Sequence, residues 1–147
     1  MFKKYNIQKA RLLVTSSDPK DKFGFPTETD LRKYLSYELP KQEEGKFYYK
    51  NKGPVIDDED QLFIIFYKGR GKGCGIAHKR EKVKLGESKG YIQFYPETIF
   101  NISDITEEEM LWVSPKPNRI KRIYPYLDIN SLPDILDLIY EKWRSYF

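Results

Sequence analysis

The chain has 147 residues, of which 39% are hydrophobic and 33% charged, and its formal net charge is +4. This length suits one folded domain with one core. The longest apolar run, residues 62–67, is far shorter than the roughly 20 residues of a membrane-spanning helix, and the N-terminal segment lacks the apolar region of a secretory signal. We therefore expect a single cytoplasmic domain covering residues 1–147.

Cysteine and histidine are scarce, with only Cys74 and His78 in the whole chain. One thiol cannot form an internal disulfide, and no Cys/His cluster exists to hold zinc. A single histidine also removes most histidine-based catalysis. We therefore expect no metal, no cofactor and no catalytic activity. The Lys- and Glu-rich composition is compatible with a thermophilic source.

The N-terminal third predicts a strand, a helix and a second strand. The apolar run 10–15 is closed by a Ser-Ser-Asp-Pro loop, which is typical of a buried first strand. Thr29 or Asp30 can cap a short helix, and Pro40 limits its end. Residues 46–50 then predict a strand before the turn at 51–54.

The central region predicts hairpins. Residues 62–67 are continuously apolar and β-prone, which indicates a central strand. A Gly-rich turn over 68–73 leads into a returning strand, and further strands are expected over 91–95 and 98–102. Because hairpin spacing dominates, we expect an α+β fold with roughly five to seven strands in a small curved, mostly antiparallel β-barrel or half-barrel flanked by short helices.

The C-terminal third adds short elements to this pattern. Thr106 precedes a helical turn that opens with three glutamates, and residues 119–124 alternate charged and apolar residues like an edge strand. Ser131 is placed to cap the last helix, with Pro133 in its first turn.

Positive charge is concentrated in one segment. Residues 68–89 contain eight Lys or Arg against two Glu, a net charge of +6, so the rest of the chain is slightly negative. Such a patch is typical of a surface that binds a phosphate backbone, although a solvated hairpin has the same composition. A Walker loop does not fit, because Gly71-Lys72 is followed by Gly73 and then by strand-like residues. The predicted backbone contacts are Lys68, Arg70, Lys72, Lys79 and Arg80, followed by Lys121 and Arg122.

Aromatic residues, at 16%, exceed what a small core needs. Alternation along a strand places neighbouring rings such as Tyr48 and Tyr49 on opposite faces, so one of each pair can point outward. Outward rings near basic residues can stack on bases or enclose a flipped base, whereas the same rings can also simply cover the core. The predicted base contacts are Trp112, Tyr49, Phe23 and Tyr95.

Two stretches resemble the PUA-like superfamily. Leu12-Leu13-Val14-Thr15-Ser16-Ser17-Asp18 looks like the opening strand and loop of EVE domains, which belong to that superfamily. Asp58 and the run Gln61 to Tyr67, a Gly-containing turn, and Gly75-Ile76-Ala77 are similar to its central hairpin. PUA, ASCH, EVE and YTH modules share a small curved β-barrel flanked by helices, and they bind RNA or modified DNA. In YTH and EVE modules an aromatic-lined pocket takes the modified base.

The resemblance also implies a biological setting. Similar domains stand at the N-terminus of the DNA-binding subunit of modification-dependent restriction systems of the Mcr type, so the implied role is a DNA specificity module with a motor domain in the same longer chain. EVE domains usually carry a Trp after the first strand, where this chain has Phe23 and Phe25. An RNA-binding PUA-like module, an ASCH-like hydrolase, and a protein-interaction module using Tyr140, Trp143 and Tyr146 remain as alternatives.

Overall fold

The computed structural model describes residues 2–21, 24–50, 60–81, 89–113 and 127–147, of which 49–50, 79–81 and 89–90 are described through their backbone only. Within these residues the strands are β1 (Ile7–Val14), β2 (Lys46–Lys50), β3 (Asp60–Tyr67), β4 (Arg70–Glu81), β5 (Lys89–Phe94) and β6 (Phe100–Ile105). The helices are α1 (Glu28–Lys33), which continues directly as a π-helix (Tyr34–Gln42), α2 (Glu107–Val113) and α3 (Leu132–Tyr146). Within the described part of the chain, no helix is long and apolar enough to cross a membrane.

The strands form one mixed sheet in the order β1-β3-β4-β5-β2, and β6 pairs with β4 off this path. The β1–β3 pairing is parallel and the other pairings are antiparallel, so the predicted α+β, mostly antiparallel class is confirmed. Of the expected barrel or half-barrel, a closed barrel is not formed by the described strands. The edge strands β1 and β2 do not pair with each other over their described residues, which leaves the sheet open.

The central strand β3 supplies both faces of the core. Its side chains alternate, so that Phe63, Ile65 and Tyr67 face one side of the sheet and Leu62, Ile64 and Phe66 face the other. The first face is covered by α1 and the π-helix, and the second by α2 and α3. This two-sided burial explains the unbroken apolar run of β3 and confirms its predicted central position.

The helix after β1 begins and ends elsewhere than expected. Thr27, not Thr29 or Asp30, is the N-cap, and it forms a capping box with Asp30. Pro40 does not end the helix but lies inside the π-helix. A proline has no N–H to donate and its ring conflicts with an α-helical turn, and the chain accommodates it in a wider turn in which Glu43 N donates to Glu38 O over 2.8 Å.

The glycines after β3 belong to a strand, not to a long turn. The β3–β4 turn consists of Lys68 and Gly69, which both have positive φ angles of 51° and 76°. The later glycines lie in β4. A Cβ at Gly73 would stand 2.5 Å from Leu35 Cδ1, so this glycine lets the π-helix pack closely on the sheet.

Candidate functional site

A cavity of about 630 Å³ opens on the face of the sheet that α1 and the π-helix cover. Its walls come from the loop after β1, from these two helical segments and from β2. Four aromatic rings, those of Phe25, Tyr34, Phe47 and Tyr48, line it. The Phe25 and Tyr34 rings lie 4.9 Å apart at an angle of 49°, and Tyr34 meets Phe47 edge-on at 6.1 Å. We call this cavity the aromatic pocket.

Backbone contacts hold the loop wall of the aromatic pocket in place. Phe25 N donates to Ser16 O over 2.7 Å, and Tyr67 Oη donates to Phe25 O over 2.8 Å. Gly24 must be small here, because a Cβ on it would stand 3.0 Å from Ser16 O. The loop is therefore held at Ser16, two residues after β1, and by the side chain of Tyr67 at the end of β3, and Phe25 is fixed at the pocket.

Strand alternation supplies the opposite wall. In β2, Phe47 is buried in the core while Tyr48 is half-buried. Tyr48 pairs across the strands with Tyr91 of β5, and their rings lie 5.8 Å apart. This cross-strand contact braces the Tyr48 ring from one side, while the ring also borders the cavity.

The polar lining of the aromatic pocket is mainly acidic. It contains the carboxylates of Asp30, Glu38 and Glu43 and the ammonium of Lys33. Burial raises the pKa of Tyr34 well above its usual range, and the nearby carboxylates of Glu43 and Glu38 raise it further. At neutral pH the Tyr34 hydroxyl is therefore protonated and able to donate a hydrogen bond.

A basic turn lies next to this pocket. Lys68 and Arg70, at the β3–β4 connection, are both exposed, and their role in backbone contacts stays a prediction. Lys68 Nζ lies 5.5 Å from the centre of the Tyr67 ring, whose hydroxyl is bonded to Phe25 O. Tyr67 thus connects the basic turn to the pocket wall. We refer to Lys68 and Arg70 as the basic turn.

Lys72 does not share this surface, although the sequence placed it there. Its side chain is 6% exposed, and Nζ lies 2.8 Å from Glu28 Oε1 and 2.7 Å from Asp104 Oδ1. Arg32 joins the same group through Asp104 at 3.2 Å. The hydrogen bond from Lys72 lowers the pKa of Glu28. Lys72 therefore ties α1 to β4 and β6, and a phosphate could reach it only by displacing these carboxylates.

The remaining predicted cations cannot be placed relative to the pocket. Lys79 and Arg80 lie in β4, where only their backbone is described. Lys121 and Arg122 fall outside the described residues, as does the predicted edge strand 119–124. These predictions stay predictions.

The two predicted base contacts whose side chains are described, Trp112 and Tyr95, do not line the aromatic pocket. Phe23 lies outside the described residues, and Tyr49 is described through its backbone only. Trp112 is 88% exposed on α2 and belongs to the opposite side of the sheet from the pocket. A Cβ on Gly69 would lie 3.3 Å from Glu107, so α2 begins beside the basic turn and carries Trp112 five residues further along.

Tyr95 belongs to a separate cluster with its own partners. Its hydroxyl donates to Asp60 Oδ1 over 2.9 Å, and its ring stacks on His78 at 4.1 Å. Tyr5 packs on Tyr95 at 4.9 Å and donates its hydroxyl to Glu97. Burial, together with the Glu97 contact, raises the pKa of Tyr5 to about 12. We call these five residues the Tyr95 cluster.

Most of the pocket is not predicted from the sequence. Phe25 stands out there only at the position where EVE domains carry a Trp, and the predicted base contacts do not include Tyr34, Phe47 or Tyr48. The available signal was that Tyr34 lies on the apolar face of its helix while Tyr48 follows the buried Phe47 in a strand. Neither position can be assigned to a cavity until the loop after β1 is placed.

The other reactive groups give no second site. Cys74 is fully buried, and burial raises the pKa of its thiol to about 12. Among the described residues, no group of three or more His, Cys, Asp or Glu could hold a metal ion.

Comparisons with known proteins bear on the fold. No family model matches the chain, and no curated protein matches it. A crystal structure of the YTH domain of the Zygosaccharomyces rouxii MRB1 protein, in complex with N6-methyladenosine RNA, is similar over 91% of this chain and 90% of that chain. The sequence identity is 10% and the TM-score is 0.48. At this level the likeness carries no inference about what the present chain binds.

Proposed function

We propose that this domain binds nucleic acid without catalysing a reaction, and that one base enters the aromatic pocket while the basic turn holds the backbone. The observation that carries the proposal is the cavity of about 630 Å³ with four aromatic residues in its lining, which Tyr67 links to a turn that carries two exposed cations. Its volume falls within the range of about 300–1,000 Å³ that is usual for small-ligand sites.

The aromatic rings of the pocket can contact a base that is no longer stacked on its neighbours. Removing a base from a duplex costs a few kcal/mol, whereas stacking on an aromatic side chain contributes about 1–3 kcal/mol per base. Tyr48 is half-buried and belongs to the lining of the cavity, and we propose that its ring stacks on the base. Tyr34 adds a protonated hydroxyl that can donate to a base edge.

The cations of the basic turn suit phosphates. Lys68 and Arg70 have no ion-pair partner among the described residues, in contrast to Lys72. An exposed cation can neutralise a phosphate and release counterions without first breaking an internal pair. The basic turn and the pocket are connected through Tyr67 and Phe25. One nucleic-acid strand can therefore place its phosphates on the basic turn and a base in the pocket.

The finer proposal is a DNA reader: a specificity module of a modification-dependent restriction system that accepts a modified, flipped base, with a motor domain in the same longer chain. The resemblance of residues 12–18 to EVE domains, and of residues 61–67 and 75–77 to the central hairpin of the PUA-like superfamily, supports it. Single-stranded RNA fits the same pocket, because its bases are already unstacked.

A binding panel tests these proposals. It compares unmodified, N6-methyladenine and 5-methylcytosine duplex DNA with single-stranded RNA at two salt concentrations, and the integrity of each oligonucleotide is checked after incubation. We expect salt-dependent binding, preference for one modified duplex, and intact nucleic acid. Tighter binding of RNA than of DNA would mean that the domain binds RNA and not DNA. Cleavage of an oligonucleotide would mean that the domain is an enzyme. No binding at low salt would contradict the proposal that it binds nucleic acid.

A further inference from the structure

The charge of the aromatic pocket is opposite to what a phosphate site needs. Three carboxylates line it against one ammonium. Asp30 is committed to the capping box, where its carboxylate accepts from Thr27 Oγ1 over 2.8 Å. Glu38 and Glu43 differ, because their carboxylates have no ion-pair or hydrogen-bond partner among the described residues, although both side chains are partly buried.

The aromatic rings and the carboxylates of this pocket both favour a positively charged ligand. The face of an aromatic ring is electronegative and attracts cations, most strongly where water is partly excluded. The carboxylates of Glu38 and Glu43 line the same cavity as Tyr34 and Tyr48, so they act in the same direction on any group between these rings. A neutral base would leave both negative charges without compensation.

We infer, on the basis of the proposed function, that the pocket selects a positively charged base, one methylated on a ring nitrogen, over its neutral isomer. N1-methyladenine and N3-methylcytosine are such bases at neutral pH, and N6-methyladenine and 5-methylcytosine are the neutral isomers. The cationic ring lies against Tyr48 and Tyr34, and its exocyclic N–H donates to Glu38 or Glu43. A methylated-lysine peptide would also satisfy the rings and carboxylates, but the exposed cations Lys68 and Arg70 beside the pocket favour a ligand that carries phosphates.

The test uses the full chain and four short single-stranded oligonucleotides, identical except for one central base. Two contain N1-methyladenine or N6-methyladenine, and two contain N3-methylcytosine or 5-methylcytosine. Because each pair is isomeric, the members differ in base charge and methyl position but not in mass or phosphate number. We expect the cationic member of each pair to bind roughly tenfold tighter, as measured by fluorescence anisotropy.

Charge-removing variants identify the source of the preference. Glu38→Gln with Glu43→Gln keeps the shape of the lining and removes both charges, so the ratio between isomers should fall to about one while the neutral isomer binds as well as before or better. Glu44→Gln is the matched control, because Glu44 is exposed, adjacent in sequence and not part of the lining. It should leave the ratio within about twofold of the wild-type value.

The outcomes separate this inference from the proposed function. Equal affinity for both isomers, or tighter binding of the neutral one, overturns the inference while leaving the nucleic-acid proposal standing. A preference that survives in the double glutamine variant also overturns it. Tighter binding of a trimethyllysine peptide than of every oligonucleotide overturns both, as does the absence of binding to all four.

Discussion

The aromatic pocket and the Tyr95 cluster contain similar residue types, but their polar side chains differ in whether they have hydrogen-bond partners. Each contains several rings and at least two acidic side chains. In the Tyr95 cluster, the hydroxyls of Tyr5 and Tyr95 bind Glu97 and Asp60, the Tyr95 ring stacks on His78, and the Tyr5 ring packs against Tyr95 at a tilt. In the pocket, rings border a cavity and Glu38 and Glu43 face it unpaired within the described residues. Residue types alone therefore do not identify a site, whereas unsatisfied groups around a cavity do.

The same contrast holds for two cations of one segment. Lys72 is buried between two carboxylates, and Lys68, four residues earlier, is exposed. The sequence predicts phosphate contact for both lysines, because a lysine next to glycines has the same local pattern in a strand as in a turn. Burial and ion pairing assign Lys72 to stability, whereas Lys68 is the one of the two that we propose contacts a ligand.

The largest expected effect tests this contrast between cations. Lys72→Ala leaves Arg32 as the remaining described cation beside Glu28 and Asp104. It should lower the free energy of unfolding by about 2–3 kcal/mol, below the range for a fully buried pair because both carboxylates are partly exposed and keep their contact with Arg32. Lys68→Ala, the control, should change it by less than about 0.5 kcal/mol. Urea denaturation measures both, and equal effects of the two variants would contradict the assignment.

Lys72 also illustrates which features cannot be predicted from the sequence. The class of fold, the central strand 60–67 and the strand 46–50 follow from local patterns, because apolar alternation and turn residues act over a few positions. The open edge between β1 and β2 and the position of Lys72 depend on contacts between residues that are distant in sequence, such as Lys72 with Asp104. The pocket is of this second kind, since its rings come from residues 25, 34, 47 and 48.

A pair of ring variants should separate binding from stability. Tyr48→Ala removes a stacking face and should weaken binding of the preferred oligonucleotide by roughly 10- to 100-fold, with a stability loss of no more than about 1 kcal/mol. Tyr95→Ala should do the reverse, because it removes a stacked ring and leaves Asp60 without its hydrogen bond: we expect a loss of about 2 kcal/mol in stability and unchanged affinity.

Tyr37→Ala is the control for the ring variants, since Tyr37 is 47% exposed on the π-helix and does not line the cavity. It should change neither property. Loss of affinity in Tyr95→Ala at a temperature where that variant is folded would mean that the Tyr95 cluster, and not the aromatic pocket, takes the base.

The basic turn should contribute to the salt dependence of binding and not to preference for one nucleic-acid sequence. The double variant Lys68→Ala with Arg70→Ala should weaken binding of all oligonucleotides alike and reduce the slope of log K against log salt by about 1.4 on single strands, or about 1.8 on duplexes, if each cation contacts one phosphate. Lys3→Ala with Lys4→Ala removes the same charge near the start of β1, the end opposite the basic turn, and should leave the slope unchanged.

The smallest expected effect is the pH dependence of the Tyr95 cluster. The pKa of Tyr5 is raised to about 12, so above pH 10 the unfolded chain loses this proton while the folded chain retains it. The contribution of the Tyr5 hydroxyl to stability is therefore complete below pH 10 and is lost as the pH rises towards 12. The difference in unfolding free energy between wild type and Tyr5→Phe should shrink across this interval, as measured by urea denaturation at several pH values. A constant difference would mean that the Tyr5 hydroxyl is not held by Glu97 in solution, and the Tyr95 cluster would then be open to ligands like the pocket.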